Sequence, residues 1–160
     1  MKKILSKYSF GVGDRFAHQA KPQLKAMIKA MEAGCVITPV WNKSYREHEI
    51  IGSKSLTTRS AVDKAVADLN WDEPYFLDAD HINLKNVDFF IDTCDFYTID
   101  VADYIGRSID GKKQKIFYEK NKNFIGQLEF PGIDSIEVTP ALIQAVAEKY
   151  LYAIYEAKKI

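Results

Sequence analysis

Cysteine is scarce in this 160-residue chain: two residues, Cys35 and Cys94, in no CxxC spacing. That argues against a disulfide scaffold, and both thiols read as small buried side chains of a reducing compartment. An excess of one charge is also missing. Lys+Arg and Asp+Glu are both 22, for a formal net charge of zero. Such a balance gives no general pull toward nucleic acid or an anionic membrane. No stretch approaches the ~20 apolar residues of a membrane span. "MKKIL" imitates the start of a secretory leader, but "SKYSF" breaks the apolar run at once. "FGVGDR" has the first two glycines of a dinucleotide fingerprint and lacks the third, so a nicotinamide cofactor fits poorly. These absences leave a soluble, cytoplasmic protein with no nucleic-acid or membrane partner.

What is present is a repeating pattern of apolar run, polar cluster and amphipathic stretch. The runs are "YSFGV", "CVITPVW", "PYFL" and "FYTI". After the first, a helix starts near Lys21-Pro22, with Leu24, Met27, Ile28 and Met31 on one face and Gly34 as its stop. After the second comes a polar stretch from Asn42 to Thr58, then a helix burying Val62, Ala65, Val66 and Leu69. After the third, Leu84, Val87, Ile91 and Cys94 repeat the helical spacing. Short continuous apolar runs alternating with helices predict an α/β fold of right-handed βαβ units with parallel strands. Residues 1–105 read as about four regular βα units. Residues 106–160 read as an irregular insert, with "KIFYE" and "NFIGQLEF" as a candidate hairpin, followed by a long helix. Thr139-Pro140 opens that helix, and its buried side is expected to hold Ile143, Val146, Ala147, Tyr150 and Ile154. The 160 residues are expected to form one domain. A complete eight-unit barrel needs roughly 250 residues, so the chain is expected to be part of a larger protein.

The reactive side chains sit at the C-terminal ends of the apolar runs. They are Asp14 and Arg15; Trp41, Asn42 and Lys43; Asp78, Asp80 and His81; and Asp100 and Asp103. Ligand sites of parallel α/β sheets lie outside those ends. For any single Asp, a helix cap is the commoner explanation. Four strand ends in succession favour a shared site. In "DADH", Asp78 and Asp80 share a face if the strand persists, and His81 joins them only if the chain turns there. Imidazole with carboxylate suits a divalent transition metal, although one His and two Asp make only a partial shell. Lys43 reads either as a Schiff-base lysine or, more simply, as an anion-pairing one. His18 and His48 read as loop residues. The polar stretch "NKSYREHEIIGS" reads as a long loop able to close over an anionic, hydroxylated substrate, with its Gly as a hinge, or as a loop with no role.

"FGVGDR", "SYREHE", "DADH" and "YTID", in this order and at these strand ends, resemble the motifs of the tagaturonate epimerase family of sugar-acid metabolism. The resemblance runs from about Ser9 to Asp103 and is looser over 106–160. It implies a TIM-barrel-like fold, of which this chain would be the N-terminal, partial (βα)-barrel portion. It also implies a divalent metal cation (Zn, Mn, Fe or Ni) and interconversion of D-tagaturonate and D-fructuronate. Carried over by position, Asp80 would be the proton acceptor and His81 a metal ligand. The family's proton-donor Glu and further His ligands lie on later strands with no counterpart here, so the chain alone is expected to turn over little or nothing. One departure is Tyr104, where family members can carry His. Retro-aldol cleavage, rotation and re-addition would need a base for the hydroxyl and a Lewis acid for the enediolate. Arg15, Lys43 and Arg46 are candidates for the substrate carboxylate, with Asp14, Asp78 and Asp100 in supporting roles. The rival readings are a metal-dependent aldolase or sugar-acid isomerase on the same scaffold, and a non-catalytic half-barrel module. Such a module could form a homo-oligomer over an open sheet edge.

Overall fold

The computed structural model describes residues 5–160; the "MKKI" start, which imitates a secretory leader, lies outside them. Its contacts divide the chain into two compact units, Met1–Asp100 and Val101–Ile160. The first unit is built on a four-stranded sheet of β1 (Ser9–Gly13), β2 (Thr38–Ser44), β3 (Phe76–Ile82) and β4 (Phe96–Ile99). The strands run in the order β1-β2-β3-β4, all parallel. This is the α/β class expected from the alternating pattern. The middle strands β2 and β3 are buried along most of their length, whereas β1 and β4 are largely exposed. Phe10 on β1 and Phe96 and Ile99 on β4 therefore stand in the open.

Helix α1 (Ala20–Glu32) joins β1 to β2. Leu24 and Met27 are its buried stripe, and Ile28 and Met31 pack beside it. Gly34 takes the left-handed conformation at φ 85°. The Gly34 and Cys35 amides then donate to Met31 O at 2.9 Å and Ala30 O at 2.8 Å. That pairing satisfies the last carbonyls of the helix and stops it. Helix α3 (Ser55–Asp68) buries Val62 and Ala65. These residues meet Trp41 and Leu77 of the sheet, with Trp71, in one core. Burying a side chain such as Leu24 or Val62 stabilises the fold by about 1.5–3 kcal/mol. Trp41 donates its indole N–H to Gln23 Oε1 at 2.9 Å, and Gln23 donates to Gly13 O at 2.7 Å, which ties α1 to the end of β1.

Several local expectations change. The supposed loop after β2 contains a helix, α2 (Tyr45–Ile51), and Gly52 ends it at φ 64° as a left-handed cap. The third connection forms no α-helix. It has turns and a 3-10 segment, Val87–Phe89. Asn86 Oδ1 accepts from Asn83 N at 2.8 Å, and Asn83 Oδ1 accepts from Lys85 N at 2.9 Å. These side chains offer the backbone local partners that compete with the helix. Leu84 and Ile91 are exposed, and Phe90 is the buried anchor instead. Cys35 is exposed and Cys94 half-buried, because Cys35 lies just past the cap of α1; both are free thiols.

In the second unit, the region read as irregular holds helix α4 (Gly111–Asn121), which includes "KIFYE". Asp110 caps it by accepting from Lys112 N at 2.7 Å. The expected pairing of "KIFYE" with "NFIGQLEF" therefore does not form; instead β5 (Gly126–Leu128), within "NFIGQLEF", pairs antiparallel with β6 (Ile136–Val138). Helix α5 (Pro140–Ala157) starts where expected, with Thr139 Oγ1 accepting from Leu142 N at 3.1 Å. Its buried stripe is Ile143, Ala147, Leu151 and Ala153, while Val146, Tyr150 and Ile154 are exposed. Among the described residues no helix is long and apolar enough to cross a membrane.

Candidate active-site cleft

The C-terminal ends of the four parallel strands open into a cleft of about 470 Å³ within the first unit. Arg15 enters from the end of β1, and Ser44 to Glu47 from the end of β2 and the first turn of α2. Asp80 and His81 come from β3, Asn86 from the turn after it, and Asp100 from just beyond β4. Five of the eight residues singled out in the sequence thus line one concavity: Arg15, Arg46, Asp80, His81 and Asp100. It lies where parallel sheets place their ligands.

Helix α2 is held at its start by a reciprocal cap. Ser44 Oγ accepts from Glu47 N at 3.3 Å, and Glu47 Oε2 accepts from Ser44 N at 3.1 Å. The other oxygen of Glu47 takes Arg15 Nε at 2.9 Å. One carboxylate therefore fixes both the helix and the arginine beside it. Arg46, exposed, makes no ion pair among the described residues and is the freer guanidinium of the two. Tyr45 rests edge-on against Phe89, ring centroids 5.2 Å apart.

The question raised by "DADH" has a backbone answer. His81 adopts φ 58°, the left-handed region that a non-glycine residue enters at a cost of about 1–3 kcal/mol. The pairing of β3 with β4 shifts register between Ala79 and Ile82. That kink brings the imidazole back beside its neighbour, with Nδ1 2.7 Å from Asp80 Oδ1. An ionised carboxylate only accepts, so Nδ1 carries the proton, and in the neutral ring Nε2 then presents a lone pair. The His81 side chain is 66% exposed and that of Asp80 26%, a reactive pair open to solvent.

Three expected site residues do not line the cleft. Asp14 is buried and accepts from the backbone amides of His18 and Gln19, at 3.0 and 2.8 Å. It is a turn-fixing residue at the start of α1. Asp78 is buried with Oδ2 accepting from Thr98 Oγ1 at 2.7 Å, while Oδ1 has no hydrogen-bond partner among the described residues. Burial pushes its carboxyl up, against the Thr98 hydrogen bond. Lys43 is 2% exposed, and its amine donates to Ser53 Oγ at 3.2 Å. Burial draws its pKa down, opposed by Asp14 and Glu47. A carboxylate in the cleft would meet Arg46 rather than Lys43.

His48, read from the sequence as a loop residue, is 2% exposed. Its Nδ1 lies 2.8 Å from Ser53 Oγ. Lysine only donates, so the Ser53 hydroxyl accepts from Lys43, while the direction of its bond to His48 Nδ1 is set by the imidazole tautomer. Burial, reinforced by Lys43, depresses the imidazole to about 4. The ring packs against Phe89 and Phe90. The Lys43–Ser53–His48 chain pins α2 from beneath. Its one sequence signal is the spacing Ser44-x-x-Glu47, the pattern of a capping box.

A divalent metal would need more than this chain shows. His81, with a carboxylate behind Nδ1 and Nε2 free, has the arrangement of a metal-bound histidine. Among the described residues, however, no group of three or more His, Cys, Asp or Glu could hold an ion. The donors fit one ligand of a shell.

The chain resembles solved structures of fructuronate-tagaturonate epimerase UxaE from Cohnella laeviribosi. Against the native form the TM-score is 0.67 at 22% identity, covering 100% of this chain and 35% of that one. Against a form complexed with one glycerol it is 0.67 at 20%, covering 97% and 33%. Against a form with two glycerols it is 0.67 at 21%, covering 92% and 32%. The chain thus spans about a third of the length of those epimerases, and at this identity the likeness is one of fold. No family model and no curated protein matches the sequence.

Proposed function

We propose that this chain is the N-terminal, partial-barrel portion of a sugar-acid epimerase that interconverts tagaturonate and fructuronate. The observation that carries the reading is the Asp80–His81 pair, set beside Arg46 and the Arg15–Glu47 pair in one cleft at the strand ends. The fold shared with an epimerase and the four sequence motifs point the same way.

The inverted carbon lies two bonds from the ketone, so enolisation does not loosen its C–H. Asp80 takes the proton of the hydroxyl on that carbon. The O–H electrons form an aldehyde as the adjacent carbon–carbon bond breaks, and the bond's electrons pass to the ketone as an enediolate. Rotation of the aldehyde and re-addition invert the centre, and an acid on the opposite side protonates the new alkoxide. His81 holds Asp80 by its Nδ1–H and offers Nε2 as one ligand for a divalent cation. The remaining ligands, and the acid that balances Asp80, would come from outside this chain. A bound cation would polarise the ketone oxygen. Arg46 pairs with the substrate carboxylate, two-pronged as guanidinium allows.

Titration with D-tagaturonate, followed by NMR of Arg46 and His81, tests the reading. Saturable shifts at both, lost in Arg46→Gln, are expected, with little or no epimerisation by the chain alone. Equal binding of a neutral ketose would sink it. So would cleavage to aldehyde products without epimer by the full-length protein, which would favour an aldolase on the same scaffold.

A further inference from the structure

In the second unit, α4 and α5 pack along each other and leave a groove of about 270 Å³. Leu151, buried, and Phe117, half-buried, form its apolar lining with Ile116 and Ile154, which remain 53% and 54% exposed. Lys113, Lys120 and Lys158 complete the lining, and no acidic side chain joins them. The acids nearby are engaged elsewhere: Glu119 pairs with Lys122 at 2.8 Å, and Glu156 with Lys159 at 2.6 Å. The three groove lysines make no ion pair among the described residues. Lys113 is held with its amine 4.5 Å from the centroid of the Tyr155 ring. An apolar trough edged by three uncompensated cations is complementary to an anion with an apolar body. The volume lies just below the usual range for drug-sized ligands, about 300–1,000 Å³, so the body must be small.

The geometry points to this groove as a binding site for a short alkyl carboxylate. The carboxylate lies among Lys113, Lys120 and Lys158, and the alkyl chain lies over Phe117 and Leu151 between Ile116 and Ile154. The site does not depend on the cleft of the first unit.

NMR titration of the full chain with sodium octanoate, with octanol and octylamine as the neutral and cationic matches, tests it. Octanoate should give saturable shifts confined to Ile116, Leu151 and Ile154 and the three lysines. It should bind about tenfold more tightly than octanol, the worth of a few partly exposed ion pairs. The variant Lys113→Gln/Lys120→Gln/Lys158→Gln should erase that preference and leave octanol binding unchanged. Should it unfold, Lys120→Gln alone should reduce the preference. Octanol or octylamine binding as tightly as octanoate would overturn the proposal, as would shifts spread over the surface. Sedimentation showing that copies of the chain cover the groove, dispersed by Ile154→Glu, would overturn it as well.

Discussion

Between β2 and β3 the chain runs through two helices, α2 and α3. Between β3 and β4 it crosses in turns and a single 3-10 segment. Both connections carry apolar residues at helical spacing, so periodicity does not separate them. The difference lies in what the polar residues do to the backbone. Ser44 and Glu47 satisfy each other's amides at the first turn of α2, and Gly52 closes its last. Asn83 and Asn86 bond to amides within their own turn and draw the chain away from helix. The tighter crossing also leaves His81 in its left-handed conformation, which puts the imidazole beside Asp80. The helix-free connection and the kink at His81 are neighbours in sequence.

The comparison breaks most sharply at Phe90, the buried residue on which the helix-free connection rests. Phe90→Ala should cost about 3–5 kcal/mol, as buried aromatic truncations do. Leu84→Ala, at a position of the supposed helical stripe that is exposed, should stay within about 0.5 kcal/mol. Urea unfolding of both variants checks this. Similar losses would mean that the connection buries its expected stripe after all.

The next largest effect lies where the two connections touch. His48 of α2 packs on Phe89 and Phe90 of the third connection. Its ordinary value is 6.5, and in the folded chain it is lowered to about 4. Below 6.5 the unfolded chain binds a proton that the folded chain refuses. Stability from this group is therefore complete above 6.5 and falls as the pH drops toward 4, by up to about 1.4 kcal/mol per pH unit. Urea midpoints at neutral pH and near pH 5 should differ by more in the native chain than in His48→Gln. Equal differences would show that His48 is not the titrating group.

The four parallel strands and the starts of the first and last helices were legible because continuous apolar runs, Pro-led starts and a Gly stop each have one common structural meaning. The strand-end rule named Arg15, Asp80, His81 and Asp100, which line one rim, whereas Arg46 on the same rim was named as a carboxylate partner and not by that rule. What was not legible depended on the third dimension. Lys43 and Asp14 look like site residues by position, yet their side chains are spent on Ser53 and on the turn before α1. His48 carries no signal of its own, because burial against two phenylalanines is invisible in a polar stretch. α2 was readable in principle from Ser44-x-x-Glu47, but the segment's polarity masked it. On α5, alternative stripes share Ile143 and Ala147, and only packing decides between Leu151 and Tyr150.

A smaller effect tests why the second connection is helical. Ser44→Ala removes the hydroxyl that accepts from Glu47 N and leaves α2 without its side-chain cap. The expected loss is about 1 kcal/mol, within the range of about 0.5–2 for cap removal. Because Glu47 also holds Arg15, the Arg15 Nε resonance should move too. A stability loss with Arg15 unmoved would separate the cap from the cleft and weaken the idea that one carboxylate organises both.

The smallest effect belongs to the matching device of the third connection. Asn86→Ala deletes the oxygen that accepts from Asn83 N and should cost about 0.5–1.5 kcal/mol, the net worth of one hydrogen bond. Its value is in where the change appears. Asn86 also lines the cleft, and its amide lies 3.4 Å from the His81 carbonyl oxygen. If the Asn-built turn maintains the kink, the His81 ring resonances should shift and the ring's coupling to Asp80 should weaken, while those of Ser44 and Glu47 stay in place. If Asn86→Ala leaves His81 unmoved, the left-handed residue is fixed by the β3–β4 register shift alone, and the link between turn and imidazole fails.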